Sequence, residues 1–155
     1  MRFLLILTAL LPIASFAQDL QPSISMRRGG CFGTCPAYVM TVLPDETYLW
    51  NGKMYVARKG AFRGQLRAGT FKDAMRLLND AHYLEFRDKY FSPEDGCKEF
   101  WTDLPTVIIH VQTSSASKEI QHYHGCRGFP REAELDALES QLQTIIGADK
   151  LISGR

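Results

Sequence analysis

The sequence lacks the short signatures on which several enzyme classes depend. It holds no Gly-x-Ser-x-Gly elbow, no phosphate loop, no His-Glu-x-x-His helix and no dinucleotide fingerprint, so no reaction class is assigned. Charge of one sign is missing too. Lys and Arg number 18 against 17 Asp and Glu, without a long run of either sign. A near-neutral chain with no basic stripe lacks the footprint that a phosphate backbone demands, which argues against nucleic acid as the main partner. No internal repeat or low-complexity segment occurs, and nothing divides the chain into two domains.

The long apolar run lies at the N-terminus. Arg2, the apolar stretch Phe3 to Ala14, and small residues at Ser15 and Ala17 have the three parts of a secretory signal, with cleavage expected before Gln18. The run is short for a bilayer span and contains Pro12. No cysteine follows the cleavage site, so no lipid anchor is expected. The reading is a signal peptide over 1–17 and one α+β domain over 18–155, periplasmic or secreted, with no membrane span in the mature chain. Four cysteines bound for an oxidising compartment read first as disulfides.

Along the mature chain, Ser23 to Arg28 reads as a strand that ends at Gly29-Gly30. A corner follows at Cys31-Phe32-Gly33-Thr34-Cys35-Pro36, then a strand over Tyr38 to Leu43, a turn at Pro44-Asp45-Glu46 and a strand over Thr47 to Trp50. Asn51-Gly52 predicts a type I′ hairpin that folds Lys53 to Arg58 back on Tyr48 to Trp50. Lys59 to Gly69 reads as a solvated loop. Thr70 to Ala81 reads as a helix capped by Thr70, with Phe71, Ala74, Met75, Leu78 and Ala81 on one face. Tyr83, Leu84, Phe86, Tyr90 and Phe91 are expected to fill the core. Ser92 to Asp103 is a long loop, and Thr106 to Gln112 with Lys118 to His124 forms a second hairpin. The last helix opens near Pro130, carries Leu135, Leu138, Leu142, Ile145 and Ile146 on one stripe, and stops at Gly147. The expected architecture is an antiparallel sheet, an N-terminal meander plus a later hairpin, covered by two helices and stapled by disulfides.

Cys31 and Cys35 have three residues between them and a strand after them. A redox pair gains its low thiol pKa from a helix N-terminus, which is missing here, so a structural bridge is expected and redox chemistry is the alternative. Cys97 and Cys126 meet at the open end of the second hairpin and are expected to pair, although four cysteines allow three connectivities. His122, His124 and Cys126 lie two apart on one strand and share a face. Such donors suit zinc or copper, with His110 joining in one of two hairpin registers and Cys126 excluded if bridged. Partly exposed histidines without a metal are the expectation, and a metal site is a second alternative. Asp95, Glu99 and Asp103 do not match calcium-loop spacing. Asp103 opens a strand, where its carboxylate can accept backbone N–H bonds, and Arg27 or Arg28 are its candidate neighbours.

Arg28-x-x-Cys31-Phe32-Gly33-x-Cys35-Pro36-x-Tyr38, Trp50-x-Gly52, Thr102-Asp103-Leu104-Pro105-Thr106 and His122-Tyr123-His124-Gly125-Cys126 together resemble an exported bacterial family of unknown function (DUF6438-like). The resemblance covers nearly all of the mature chain and departs at Pro44-Asp45-Glu46, where the family favours an Asp-Gly turn. It implies an envelope-associated domain and carries no activity. Arg28, Tyr38, Asp103, His122 and His124 form the candidate functional surface. The expected function is a non-catalytic binding module for an envelope protein or a small ligand, with no cofactor assigned. The alternatives are thiol–disulfide exchange by Cys31 and Cys35, and metal binding by His122 and His124.

Overall fold

Alternation along the strands sets which face is buried. In β1 (Ser23–Arg28), Ile24 and Met26 are fully buried, and Tyr38, Met40 and Val42 do the same in β2 (Ala37–Val42). Val107, Ile109 and Val111 of β7 (Thr106–Gln112) continue that face, as do Ile120 and His122 of β8 (Ser117–Tyr123). The computed structural model describes residues 21–155, so the signal peptide expected over 1–17 lies outside the described residues. With β3 (Thr47–Met54), β4 (Gly60–Gln65) and β5 (Lys89–Tyr90), the strands form a seven-stranded sheet in the order β4-β3-β2-β1-β7-β8-β5. Its neighbours are antiparallel except β5, which runs parallel to β8. A small second sheet pairs β6 (Glu99–Phe100) with β9 (Cys126–Arg127).

The buried face is covered by α1 (Thr70–Asp80) and α2 (Glu132–Ile145). Ala74 and Leu78 of α1, and Leu135, Leu138 and Leu142 of α2, join the strand residues in one apolar cluster. At about 25 cal/mol per Å² of apolar surface, each such leucine contributes about 2 kcal/mol. A third helix, α3 (Ala148–Ser153), adds to the two expected. Gly147 stops α2 as predicted and, with φ of 76°, also starts α3. Through its last turn, Leu151 and Ile152 accept backbone hydrogen bonds from Arg58 (3.0 Å) and Ala57 (2.9 Å). Among the described residues no helix is long and apolar enough to cross a membrane.

Two expectations for the meander are corrected. Asn51-Gly52 does not turn: β3 runs through it, and Asn51 pairs with Val39 on one side and Ala61 on the other. The chain reverses at residues 55–59 instead, and the stretch read as a loop supplies β4, a mostly exposed edge strand. Gly52 is needed for a different reason. A Cβ there would collide with the Arg58 carbonyl, which accepts a 2.7 Å hydrogen bond from Trp50 Nε1. The cap of α1 also differs. Thr70 lies inside the helix, and the free N–H groups of Gly69 and Phe71 donate to the two carboxylate oxygens of Glu46 at 2.8 and 2.9 Å. Glu46 itself holds φ of 65°, in the left-handed region that favours glycine.

Of the residues expected to fill the core, Tyr83, Phe86 and Tyr90 are buried while Leu84 and Phe91 are exposed. The Ser92 to Asp103 loop carries β6 and a short turn of 3-10 helix over Pro93–Asp95. Both disulfides form between the expected partners, Cys31–Cys35 and Cys97–Cys126.

Candidate functional site

One row of residues crosses the inner face at the end of the sheet that carries the disulfides. Register places Gly52, Tyr38, Arg28, Val107, His122 and Tyr90 side by side on successive strands β3, β2, β1, β7, β8 and β5. Residues two apart on a strand share a face, so His124 follows His122 toward the helices. Over this row lies the polar side of α2, where Asp136, Glu139, Ser140 and Gln143 recur at helical spacing. A cleft of about 240 Å³ opens between them, lined by Arg28, His124, Asp136, Glu139, Ser140 and Gln143.

Glu139 is the centre of the arrangement. It is 3 % exposed, and its two oxygens face two imidazoles: Nδ1 of His122 at 2.8 Å and Nε2 of His124 at 2.7 Å. A carboxylate only accepts, so both facing ring nitrogens carry protons. Burial pushes the Glu139 carboxyl up, but the hydrogen bonds and charge of His122 and His124 together outweigh it and hold the group below the usual carboxylate range. His122 is fully buried, edge-on to Phe129 (centroids 5.3 Å apart) and to Tyr90 (6.3 Å). Its other nitrogen, Nε2, has no hydrogen-bond partner. The expectation of partly exposed histidines is corrected for His122 alone, since His124 is partly exposed: the sequence shows the strand face, not that a carboxylate descends on it from α2.

Asp136 extends the cluster. Its Oδ1 stands 3.8 Å from His122 Nδ1 and is buried without a hydrogen bond, while Oδ2 faces Arg127 Nη1 at 3.4 Å. Arg28 lines the cleft, and its buried Nε is also unpartnered. Tyr38 stacks on Trp50 and donates to Gln143 Oε1 at 2.8 Å, and Gln143 Nε2 donates to Asp149 Oδ1 at 2.7 Å. Burial pushes the Tyr38 phenol well above its ordinary pKa, the charge of Arg28 opposing it, so the hydroxyl stays a donor.

The structure thus gathers Arg28, Tyr38, His122 and His124 at one place and leaves Asp103 outside it. Asp103 is exposed, holds φ of 68°, and its carboxylate accepts from its neighbour Thr102 rather than from backbone or from Arg27 or Arg28. His110 is sent to the opposite face by the register that pairs it with Glu119, and it contacts Ser117. Cys126 is bridged and offers no thiolate. Asp95 closes its own short turn, accepting from Phe91 N and Ser92 Oγ at 3.1 Å each. Sequence reasoning missed Asp136, Glu139, Ser140 and Gln143. One signal for Glu139 was available, because it falls four residues after Leu135 and three before Leu142, inside the apolar stripe.

One ring nitrogen each of His122 and His124 and one carboxylate oxygen each of Asp136 and Glu139 lie within 4.8 Å of one another, a donor set able to hold a metal ion. The arrangement can also bind a small polar molecule through Arg28 and Gln143, or pass a proton between the imidazoles through Glu139. Compared with curated proteins, the chain finds no match. The model of a domain of unknown function (DUF6438) matches residues 22–146, from the start of β1 to the end of α2, and the chain belongs to that family.

Proposed function

We propose that the protein is an exported binding domain, periplasmic or secreted, and that its ligand occupies the cleft between the strand row and α2. One observation carries the reading: a carboxylate almost wholly out of water is held between two imidazoles at the back of a solvent-open cleft. Burying an ionised carboxylate costs several kcal/mol, about as much as a domain's smaller stability margins, and an apolar side chain at position 139 would complete the stripe without that cost. A ligand that uses the charge accounts for its presence. The cleft is smaller than the roughly 300–1,000 Å³ typical of drug-sized ligands, which favours an ion or a molecule of few atoms over a nucleotide or a peptide.

Export is supported by two disulfides and by the N-terminal sequence pattern. Redox chemistry at Cys31 and Cys35 gains less support, because the chain after them enters β2 and provides no helix N-terminus to stabilise a thiolate.

The test is nitrogen-detected NMR of the four histidines during separate titrations with divalent cations and small anions. The expected result is that the ring nitrogens of His122 and His124 shift while those of His82 and His110 do not. Silence at His122 and His124 across both series would overturn the reading.

A further inference from the structure

Resting on the reading of the cleft as a ligand site, we infer that its occupant is a divalent transition-metal ion, bound by His122 Nδ1, His124 Nε2, Glu139 and Asp136. Two imidazoles and two carboxylates are a borderline donor set. It suits zinc and its first-row neighbours, whereas magnesium and calcium take oxygen alone.

The four ligand atoms lie within 4.8 Å of one another. With bonds of about 2.0–2.2 Å, a tetrahedral ion sets its ligand atoms roughly 3.4 Å apart. The site therefore needs to draw in on the side of Asp136, whose partly exposed side chain keeps Oδ2 against Arg127 and leaves the buried Oδ1 without a hydrogen bond. The ion would replace the two N–H···O contacts to Glu139. In neutral imidazoles each proton moves to the far ring nitrogen, from Nδ1 to Nε2 in His122 and from Nε2 to Nδ1 in His124, so no proton leaves the protein. An imidazolium would release one proton to water. In His122 that change converts the orphaned Nε2 from a buried lone pair into an N–H among Phe129 and Tyr90, surroundings better suited to a donor.

Charge completes the picture. Glu139 and Asp136 together match a divalent cation, and Arg28 lies beside them on the wall of the same cleft. As a neighbouring cation Arg28 opposes the metal. As an anion-binding group it would instead be required by a ligand such as phosphate or a carboxylate. The sign of its effect separates the two occupants.

The protein is purified after export, free of tag and chelator, and its metal content is measured by elemental analysis. After removal of any metal, cobalt(II) is added under visible absorption spectroscopy and zinc under calorimetry. The expected result is one ion per chain and ligand-field bands of a four-coordinate N/O site. His124→Ala and Asp136→Asn, both at side chains that reach solvent, should each lower affinity by at least the ~10–100-fold that loss of a supporting partner costs a metal site. Arg28→Met should tighten binding, because the removed guanidinium no longer opposes the charge of the ion. Calorimetric silence with zinc and cobalt overturns the inference. So does binding that His124→Ala and Asp136→Asn leave unchanged. If metal fails while phosphate or acetate shifts the His122 and His124 ring nitrogens and Arg28→Met abolishes that shift, the metal falls and the cleft remains a ligand site. If neither class of ligand acts there, both readings fall together.

Discussion

At the end of the sheet where β2 turns into β3 and β7 into β8, closure rests on hydrogen bonds. Asp45 Oδ1 accepts from Thr47 N at 2.9 Å, Glu46 caps α1, and Thr113 and Ala116 close the second turn with backbone and hydroxyl bonds of 2.8 and 2.9 Å. At the opposite end, two disulfides fix the chain, and a charged cluster lies there with His122 and Glu139 buried and His124 and Asp136 partly exposed. The contrast bears on what the cluster is for. Glu46 and Glu139 each present two oxygens to two donors, but the donors of Glu46 are helix N–H groups that need a partner, whereas those of Glu139 are side chains that an apolar core would omit. The first is a structural cap. The second asks for another explanation, and the covalent bonds around it suggest one: Cys31–Cys35 closes the corner beside the directly paired Arg28 and Tyr38, and Cys97–Cys126 fixes the strand end just past His124.

The disulfides should differ in strength. Cys97 and Cys126 are 29 positions apart and buried, so replacing both by alanine should cost about 3–4 kcal/mol in urea unfolding, the larger part from released loop entropy. The same change should blur the His122 and His124 ring signals, since Gly125 between them and the bridge has no room for a Cβ against the Trp101 carbonyl. A loss under 1 kcal/mol would mean that the second sheet holds its place without the bond. Next in size, Glu139→Ala in metal-free protein should cost about 3 kcal/mol, because two imidazoles lose their acceptor and one of them is fully buried. Replacement by leucine tests the comparison more sharply. A leucine variant as stable as the parent but unable to bind metal would place the value of Glu139 in ligand binding alone.

Cys31–Cys35 closes a loop of separation 4 at a half-buried corner, with Phe32 90 % exposed, so its replacement by serines should cost less, about 2 kcal/mol. Under graded reductant, followed by alkylation and mass mapping, it should open before the buried bridge. Equal resistance of the two bridges would remove the remaining ground for thiol exchange at the corner. At the other end, Glu46→Ala should cost about 1 kcal/mol, as for the loss of a helix cap, and should leave metal affinity unchanged. A change in affinity would show that the two ends are coupled.

Much of this scaffold was legible because period and burial agree. Ser23 to Arg28, Thr106 to Gln112 and the α1 stripe were read at or near their observed bounds. Asn51-Gly52 misled because turn chemistry is local, while β3 gains pairing on both sides by continuing through it. Residues 60–65 gave no alternation because an edge strand with both faces wet has no core face to mark. The cleft was half legible. Its strand residues stand in short motifs, but its helix residues were hidden by reading α2 for apolar positions, and only tertiary packing brings Glu139 to His122.

The smallest effect is one of pH and lies at the hydrogen-bonded end. The Thr47 backbone N–H, followed by the Thr47 side chain, holds the exposed Asp45 carboxyl below the usual carboxylate range. A depressed folded-state pKa stabilises the fold fully above the unfolded value of about 3.9, and the contribution is lost as pH falls through the folded value. Asp45→Asn keeps a side-chain oxygen for Thr47 N but cannot titrate. Parent and variant should therefore differ by a constant amount from neutral pH down to the ordinary carboxylate range and converge below it in acid unfolding curves. A gap that stays constant through the acid limb would mean that Asp45 does not hold the turn as a carboxylate. The hydrogen-bonded end would then be closed by Glu46 and by the Thr113–Ala116 turn.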